Sequence, residues 1–530
     1  MSATQHPAQH PAQQPAGTPA PAADGGLSSK GLSAGTVGLV GAVVIGLSCI
    51  APAYTMTAAL GPTVSEVGYQ VPALVLVGFV PMLLVALGYR ELNRAMPDSG
   101  TTFTWATRAF GPWVGWMAGW GLVAATVLVL SNLAGIAVDF LFLLLAQVTG
   151  NPGLADLAGN AVVNVVVCLA FMAAATAVAY RDMQTTQRLQ YGLVGFQLLV
   201  LLLFAGVALY RAATGEPGSE PVSLEWFDPT AVPSTAALAA GLSLSIFIFW
   251  GWDVTLTMNE ETKDPDRTPG RAATVTVVVI LTVYLLLAVS LLSFAGTGET
   301  GTGLGNPDLQ DNAFAALAGP VLGPLGALVS LAVLTSSASS LQSTFVSPAR
   351  TLLAMGHYGA LPTWFAKVHP RFFTPGNATV AAAAVASAFY AVMRVVSENV
   401  LWDTITALGM MICFYYGATA FACVWYFRRQ WFDSARTAVL TLVCPLVGGV
   451  VLAVLFVTTL VDSTDPDYGS GSSVGGVGLV FVLGVGVIGL GAVLMVAQRL
   501  ARPAFFRSET LRRSDSLTDL RPASTDREHA

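Results

Sequence analysis

The sequence predicts an all-α polytopic membrane protein, and three observations carry that prediction. Of its 530 residues, 54% are hydrophobic and only 10% charged, with a mean hydropathy of +0.67; a soluble domain carries about 25% charged residues. Apolar runs of roughly 20 residues, the length that crosses a bilayer, recur twelve times. Lys and Arg gather in every second loop, so that with an inside N-terminus 22 of the 24 fall on one face and only Arg211 and Arg394 on the other. Misplaced spans would scramble that asymmetry, so the positive-inside rule supports the count and places both termini in the cytoplasm of a multi-pass plasma-membrane protein.

In chain order, residues 1–34 are rich in Pro, Ala and Gln, with no apolar run and no early basic cluster, and read as a disordered cytoplasmic tail rather than a signal peptide. Spans are expected at 35–61, 70–92, 112–147, 160–180, 188–210, 236–258, 272–295, 322–355, 377–397, 402–428, 436–461 and 475–499. Residues 500–530 read as a second polar, disordered cytoplasmic tail. The net charge of −6 says little about partners, because acidic stretches such as "TGEPGSE" and "VDSTDPDYGS" fall in outer loops. The lipid bilayer is the evident partner, and nucleic acid is not expected.

Several function classes are excluded. The three lysines read "SSKG", "ETKD" and "FAKV", so no Walker A loop and no ATP motor is present. All five histidines lie in tails or loops, which leaves no intramembrane Ser-His pair and no zinc cluster. The five cysteines lie within expected spans without a CxxC pair, so neither a disulfide framework nor a bound cofactor is indicated. No TVGYG-like filter occurs. The chain is not expected to be an enzyme.

What remains is a solute carrier, and the first span shows where its site would lie. In "GAVVIGLSCIAPAYTMTAALG", Pro52 removes an N–H and disfavours helix at Ala51, so the helix should break around Ser48 to Pro52. Five spans later, "FIFWGWDVTLTMNEETKDPDRTPGRA" supplies a second interruption, with Gly251 between two tryptophans and Asp253 at similar depth. Span one enters from inside and span six from outside, as two inverted repeats over 35–210 and 236–428 require, with 436–499 as an added pair. The substrate-binding candidates here are Ser48, Cys49, Ile50, Ala51, Pro52 and Ala53, with free N–H groups from about Cys49 to Ala53 suited to a substrate carboxylate. Carbonyls around Ile248 to Gly251 would face an ammonium.

Asp253 is open to three roles: orienting the broken backbone, binding a cationic group of the solute, or carrying a coupling proton. An intramembrane carboxylate is expensive and marks a polar path. Asp139 in span three is a second acid, within reach of the outer interface. Phe247, Phe249, Trp250 and Trp252 are candidates for a lid, and Tyr415 and Tyr416 for an outer gate. Span eight concentrates hydroxyls at Thr335, Ser336, Ser337, Ser339, Ser340, Ser343 and Thr344; these serve either as close-packing helix glue or, at Ser336, Ser339, Ser340 and Ser343, as hard ligands for Na⁺. The coupling ion is open between Na⁺ and H⁺, with exchange a further mode.

These residues resemble the amino acid-polyamine-organocation superfamily of permeases. The resemblance covers about residues 35–460 and rests on "GLSCIAPAY", "PDSGTTFTWATRAFGPWVGWMAGW", "FWGWDVTLTMNEETKDPDRTPGRA" and "ARTLLAMGHYGALPTWFAKVHPRFFTP" in that order. It implies a LeuT-type fold of ten core helices in two inverted repeats plus two C-terminal helices, and import of amino acids by alternating access. Uptake of a polyamine such as putrescine is the alternative, and a nontransporting sensor or a channel the more distant one. The family's usual arginine-aspartate pair after span eight is replaced by His357-Tyr358, which weakens a cytoplasmic gate built there. Span five lacks the lysine that some proton-driven relatives place at a sodium position.

Overall fold

The computed structural model describes residues 28–396, 400–466, 468–469 and 471–513. The chain is helical almost throughout. Nine helical stretches among the described residues are long and apolar enough to cross a membrane, and two shorter apolar helices occur at Ala237–Ile248 and Ala313–Leu325. It is a multi-pass, all-α membrane protein.

Helix α1 (Leu39–Ile50) and α2 (Pro52–Val67) together make the first span, and they part at Ala51, which sits in the left-handed region at φ 57°, ψ 67°. Pro52 opens α2 at a position where its missing N–H is no loss. The chain then runs through α3 (Val71–Ala95), α4 (Thr102–Phe110), α5 (Pro112–Thr149), α6 (Ala161–Ala179) and α7 (Met183–Ala213). The 38-residue α5 is the longest element and packs against α13, α16, α15 and α19. Helix α4 was not expected as an element; it buries Phe103 and Trp105 on the side of the molecule that carries the arginine-rich loops, here called the basic face.

The sixth span is also two pieces, α8 (Thr235–Ile248) and the single turn α9 (Val254–Thr257), separated by Phe249 to Asp253. After α10 (Thr268–Ala295), the segment expected at 322–355 begins earlier and is subdivided. Short helices α11 (Ala313–Ala316) and α12 (Ala318–Leu322) precede α13 (Ala327–Thr344) and α14 (Val346–His357). Three glycines and two prolines in "AGPVLGPLG" break the outer part. Helices α15 (Gly376–Val396) and α16 (Val400–Tyr426) follow, then α17 (Ala435–Ala438), a π turn at Val439–Val443, α18 (Cys444–Asp462), α19 (Leu479–Ala501) and α20 (Pro503–Phe506). A two-residue hairpin, β1 (Ser473–Val474) with β2 (Val477–Gly478), joins α18 to α19.

Both tails are more ordered at their inner ends than expected. Residues 28–34, assigned to a disordered tail, pack with Lys30 and Leu32 buried, and the adjoining Val37 pairs with Thr262. Residues 500–513 lie against the basic face, burying Phe505, Phe506 and Leu511 with Phe103, Trp116 and Met355. Apolar anchors in an otherwise polar stretch explain both corrections. The rest of those expectations, residues 1–27 and 514–530, lies outside the described residues.

Candidate functional site

The two helix interruptions meet. Gly251 stands at φ +107°, a conformation that side-chain-bearing residues rarely adopt, and a Cβ there would lie 3.2–3.3 Å from the backbone carbonyl and Sγ of Cys49. The break in α1–α2 therefore packs directly on the break in α8–α9. Ser48, Cys49, Ile50, Ala51, Pro52 and Ala53 are all buried, as are Phe247 to Asp253. Among the described residues no backbone N–H reaches the carbonyls of Ile248, Phe249 or Trp250. On the facing strand of chain, the Tyr54 N–H at the start of α2 meets the Ser336 hydroxyl at 3.5 Å. The carbonyl of Cys49 accepts from Ser340 Oγ at 2.8 Å. Half-helix ends with loose peptide dipoles are thus gathered at one depth, as a charged solute requires.

Asp253 makes no hydrogen bond to the N–H groups of α9. Its carboxylate accepts from Tyr416 Oη at 2.9 Å and Tyr415 Oη at 3.3 Å, and Trp250 Nε1 donates to Tyr415 Oη at 2.6 Å. The two tyrosines, the candidates for an outer gate, are fully buried against Asp253. The aromatic set also divides rather than forming one lid. Phe247 meets the edge of Tyr54, Phe249 packs on Phe79 and Tyr284, and Trp252 stacks on Tyr416 at 5.0 Å with Tyr89 against its edge. Tyr54 Oη donates to Asn132 of α5, and Tyr284 pairs with Thr55. Asp139 belongs to another neighbourhood, with Arg394, Cys168 and Tyr390.

The span-eight hydroxyls separate by helical phase. Ser340 holds the Cys49 carbonyl and Ser336 the start of α2, whereas Ser339 and Ser343 face Ser48 and Gln190. Ser48 Oγ donates to Gln190 Oε1 at 2.7 Å and lies 2.7 Å from Ser339 Oγ and 2.9 Å from Ser343 Oγ. Gln190 Nε2 in turn donates to the Ser339 carbonyl at 3.1 Å and to Gln342 Oε1. The oxygens that would ligate a cation are already bridged by a neutral carboxamide from α7. Ser337 stays out of this network.

Below the site, the basic face is shut by buried charges. Lys30 Nζ pairs with Asp98 Oδ2 at 2.8 Å and also with Glu260. Tyr358 Oη donates to the same Asp98 oxygen at 2.5 Å, while Gly100 N and Thr104 Oγ1 take the other oxygen, each at 2.8 Å. Arg350 grips Glu261 with two hydrogen bonds, of 2.5 and 2.9 Å. Burial opposes charge on Asp98, but Lys30 and its hydrogen-bond donors prevail and hold the carboxyl below the usual carboxylate range. His357 is pushed below its ordinary value by burial and by the Lys30 charge. A charged lock exists on this face, but it is made from Lys30, Asp98, Glu260 and Tyr358 rather than from an arginine-aspartate pair after span eight. Sequence reading missed Lys30, Gln190 and Tyr54; only the isolation of Lys30 and Gln190 in apolar or low-charge surroundings hinted at them.

Two interrupted helices that meet break to break, closed toward one face by paired charges, form the kind of arrangement in which secondary transporters hold solutes. The chain belongs to the amino acid permease family, whose model matches residues 33–498. It is 26% identical over 146 residues to the branched-chain amino acid permease BcaP of Lactococcus lactis subsp. cremoris (strain MG1363), covering 26% of this chain and 30% of that protein. It is also 26% identical over 188 residues to the low-affinity putrescine importer PlaP of Escherichia coli (strain K12), covering 34% of this chain and 37% of that protein. The matched stretches therefore span about a third of these relatives.

Proposed function

We propose that this protein is a secondary active importer of amino acids in the plasma membrane, working by alternating access around the cleft between α1–α2 and α8–α9. The contact of Gly251 with Cys49 carries the reading, because it brings both interruptions to one point. The N-terminal end of α2 would hold the solute carboxylate, and the carbonyls of Ile248, Phe249 and Trp250 its ammonium. The arrangement of spans is taken as twelve, in a LeuT-type five-plus-five inverted repeat with two added helices. Both termini are assigned to the cytoplasm, since the basic loops gather on their side. On that orientation the buried charges around Lys30 form the cytoplasmic gate, and they must separate for solute to leave inward.

The coupling we infer is sodium-independent. The four hydroxyl-bearing positions proposed as ligands are split between two jobs, and Gln190 fills the space facing Ser48, Ser339 and Ser343. A sodium ion would have to expel a hydrogen-bonded amide. A proton gradient or solute exchange is left as the driving force.

A second reading has its own observation. Asp253 is buried, and among the described residues its carboxylate takes side-chain hydrogen bonds from two tyrosine hydroxyls and no cationic side chain, which favours a cationic solute such as a polyamine. Proteoliposomes loaded with labelled solutes distinguish the two. Saturable uptake of an α-amino acid, with putrescine a poor competitor and no response to an imposed sodium gradient, is expected. Putrescine entry without any amino acid entering or competing would overturn the reading.

A further inference from the structure

Away from the two helix breaks, helices α5, α15 and α19 splay apart and leave an apolar recess of about 540 Å³. Trp120, Val127 and Leu128 of α5 form its back, Ala382 and Phe389 one side, and Val487 and Leu494 the other. Met355, Leu361 and Phe365 close its end at the basic face. Two rim residues, Val385 and Leu490, are more than half exposed, so the recess opens sideways into the bilayer. The walls are fixed: the Trp116 and Trp120 indoles donate to the carbonyls of Gly491 and Val487 at 3.2 and 2.8 Å, tying α5 to α19.

The recess has the depth of one leaflet. Its lining runs along α5 from Trp116 to Leu128, a rise of about 18 Å, against a half-thickness of about 15 Å for the hydrocarbon core. An apolar void of this size stays dry, and its lining gains dispersion contacts only from a hydrocarbon occupant. Its basic-face end is polar in one respect. Gln498 lines it, and the buried Oε1 of Gln498 has no hydrogen-bond partner among the described residues. Arg499 and Arg502 follow on the same helix end, and Lys367 lies two residues beyond Phe365. A buried acceptor calls for a donor, and the neighbouring cations call for an anion.

We propose that this recess is a binding site for an anionic glycerophospholipid with a hydroxylated headgroup, of the phosphatidylglycerol class, from the leaflet on the basic face. One acyl chain fills the groove, a headgroup hydroxyl donates to Gln498 Oε1, and the phosphodiester lies among Arg499, Arg502 and Lys367. Met355 belongs both to the end of this recess and to the cluster that holds Phe505 against Phe103, so an occupant bears on the helix end that carries Tyr358.

The test is native mass spectrometry of the full chain, delipidated and titrated with phosphatidylglycerol or phosphatidylethanolamine. One tightly held phosphatidylglycerol per chain is expected. Ala382→Trp, which fills the groove, and Leu490→Trp, which blocks its exposed rim without entering the core, should each weaken binding about tenfold. Gln498→Leu should weaken both lipids while keeping the chain site, and Arg499→Gln with Arg502→Gln should bring the two lipids toward equal affinity. Lipid retained by both tryptophan variants as tightly as by the native chain, or no preference between headgroups in the native chain, would overturn the proposal. So would a second copy of the chain cross-linked across Val385 and Leu490, released as monomer by Leu490→Trp without loss of lipid.

Discussion

At the scale of single residues, the account rests on a glycine and an aspartate. Gly251→Ala places a Cβ against the Cys49 carbonyl in a backbone conformation that costs an L-residue about 1–3 kcal/mol. The variant should insert and remain monodisperse but lose uptake, as measured in proteoliposomes; full activity would mean that the close contact of the two breaks is dispensable. Asp253→Asn should raise KM for cationic solutes about tenfold while maximal velocity for neutral amino acids changes little. Unaltered kinetics for every solute would leave Asp253 as a structural partner of Tyr415 and Tyr416. His357 gives a pH dependence on the basic face. Its value is lowered in the folded protein by burial and by Lys30, so its contribution is present above about 6.5 and is lost as pH falls. Protection factors of residues 98–104, with the intrinsic pH dependence of exchange divided out, should therefore fall between pH 7.5 and 5.5, and His357→Gln should flatten that response. Asp98 does not add to it, because Lys30 and its hydrogen-bond donors outweigh burial and lower its carboxyl further from this window. Pro52 and Gly251 were legible in the sequence because each alters its own backbone. Lys30, 230 residues from Glu260, and Ser48, 142 residues from Gln190, could be paired only by the fold.

At the scale of elements, both interrupted spans could be read ahead of the structure, since a proline or glycine in an apolar run acts locally. Helix α4 and the docked segment 503–513 could not. Their apolar residues are too few to show a period, and they are ordered by surfaces that arrive from far along the chain. Phe505 stacks on Phe103, Thr510 Oγ1 donates to the Tyr358 carbonyl at 2.6 Å, and Arg108 Nη1 donates to the Arg512 carbonyl at 3.0 Å. Phe505→Ala empties a fully buried site, at about 3–5 kcal/mol by analogy with core phenylalanines. The segment should then be cleaved readily by protease, with faster hydrogen exchange at the end of α14. Protection unchanged from the native chain would contradict the docking. The hydroxyls of α13 were visible as a cluster, but their partner was not, because a glutamine in span five carries no charge to draw notice.

At the scale of the molecule, the meeting point of the two breaks is shut off from solvent in this conformation, with Cys49 at 3% exposure and Asp253 at 3%. Removing one partner from a buried ion pair leaves the others uncompensated, a loss of about 3–5 kcal/mol. Lys30→Ala should therefore favour the state open at the basic face. Cys49 is a built-in reporter, since a buried thiol is inert until water and reagent reach it. With the other four cysteines replaced, Lys30→Ala should speed Cys49 labelling, and a bound solute should slow it. Equal rates in all states would remove the lock from the transport cycle. The most direct test of the whole account is a cryo-electron microscopy structure of the protein in nanodiscs with a saturating amino acid. The account expects density between the start of α2 at Ala51–Ala53 and the carbonyls of Ile248–Trp250, with α1–α2 and α8–α9 still parted. Solute bound elsewhere, or continuous helices through residues 51 and 251, would contradict it.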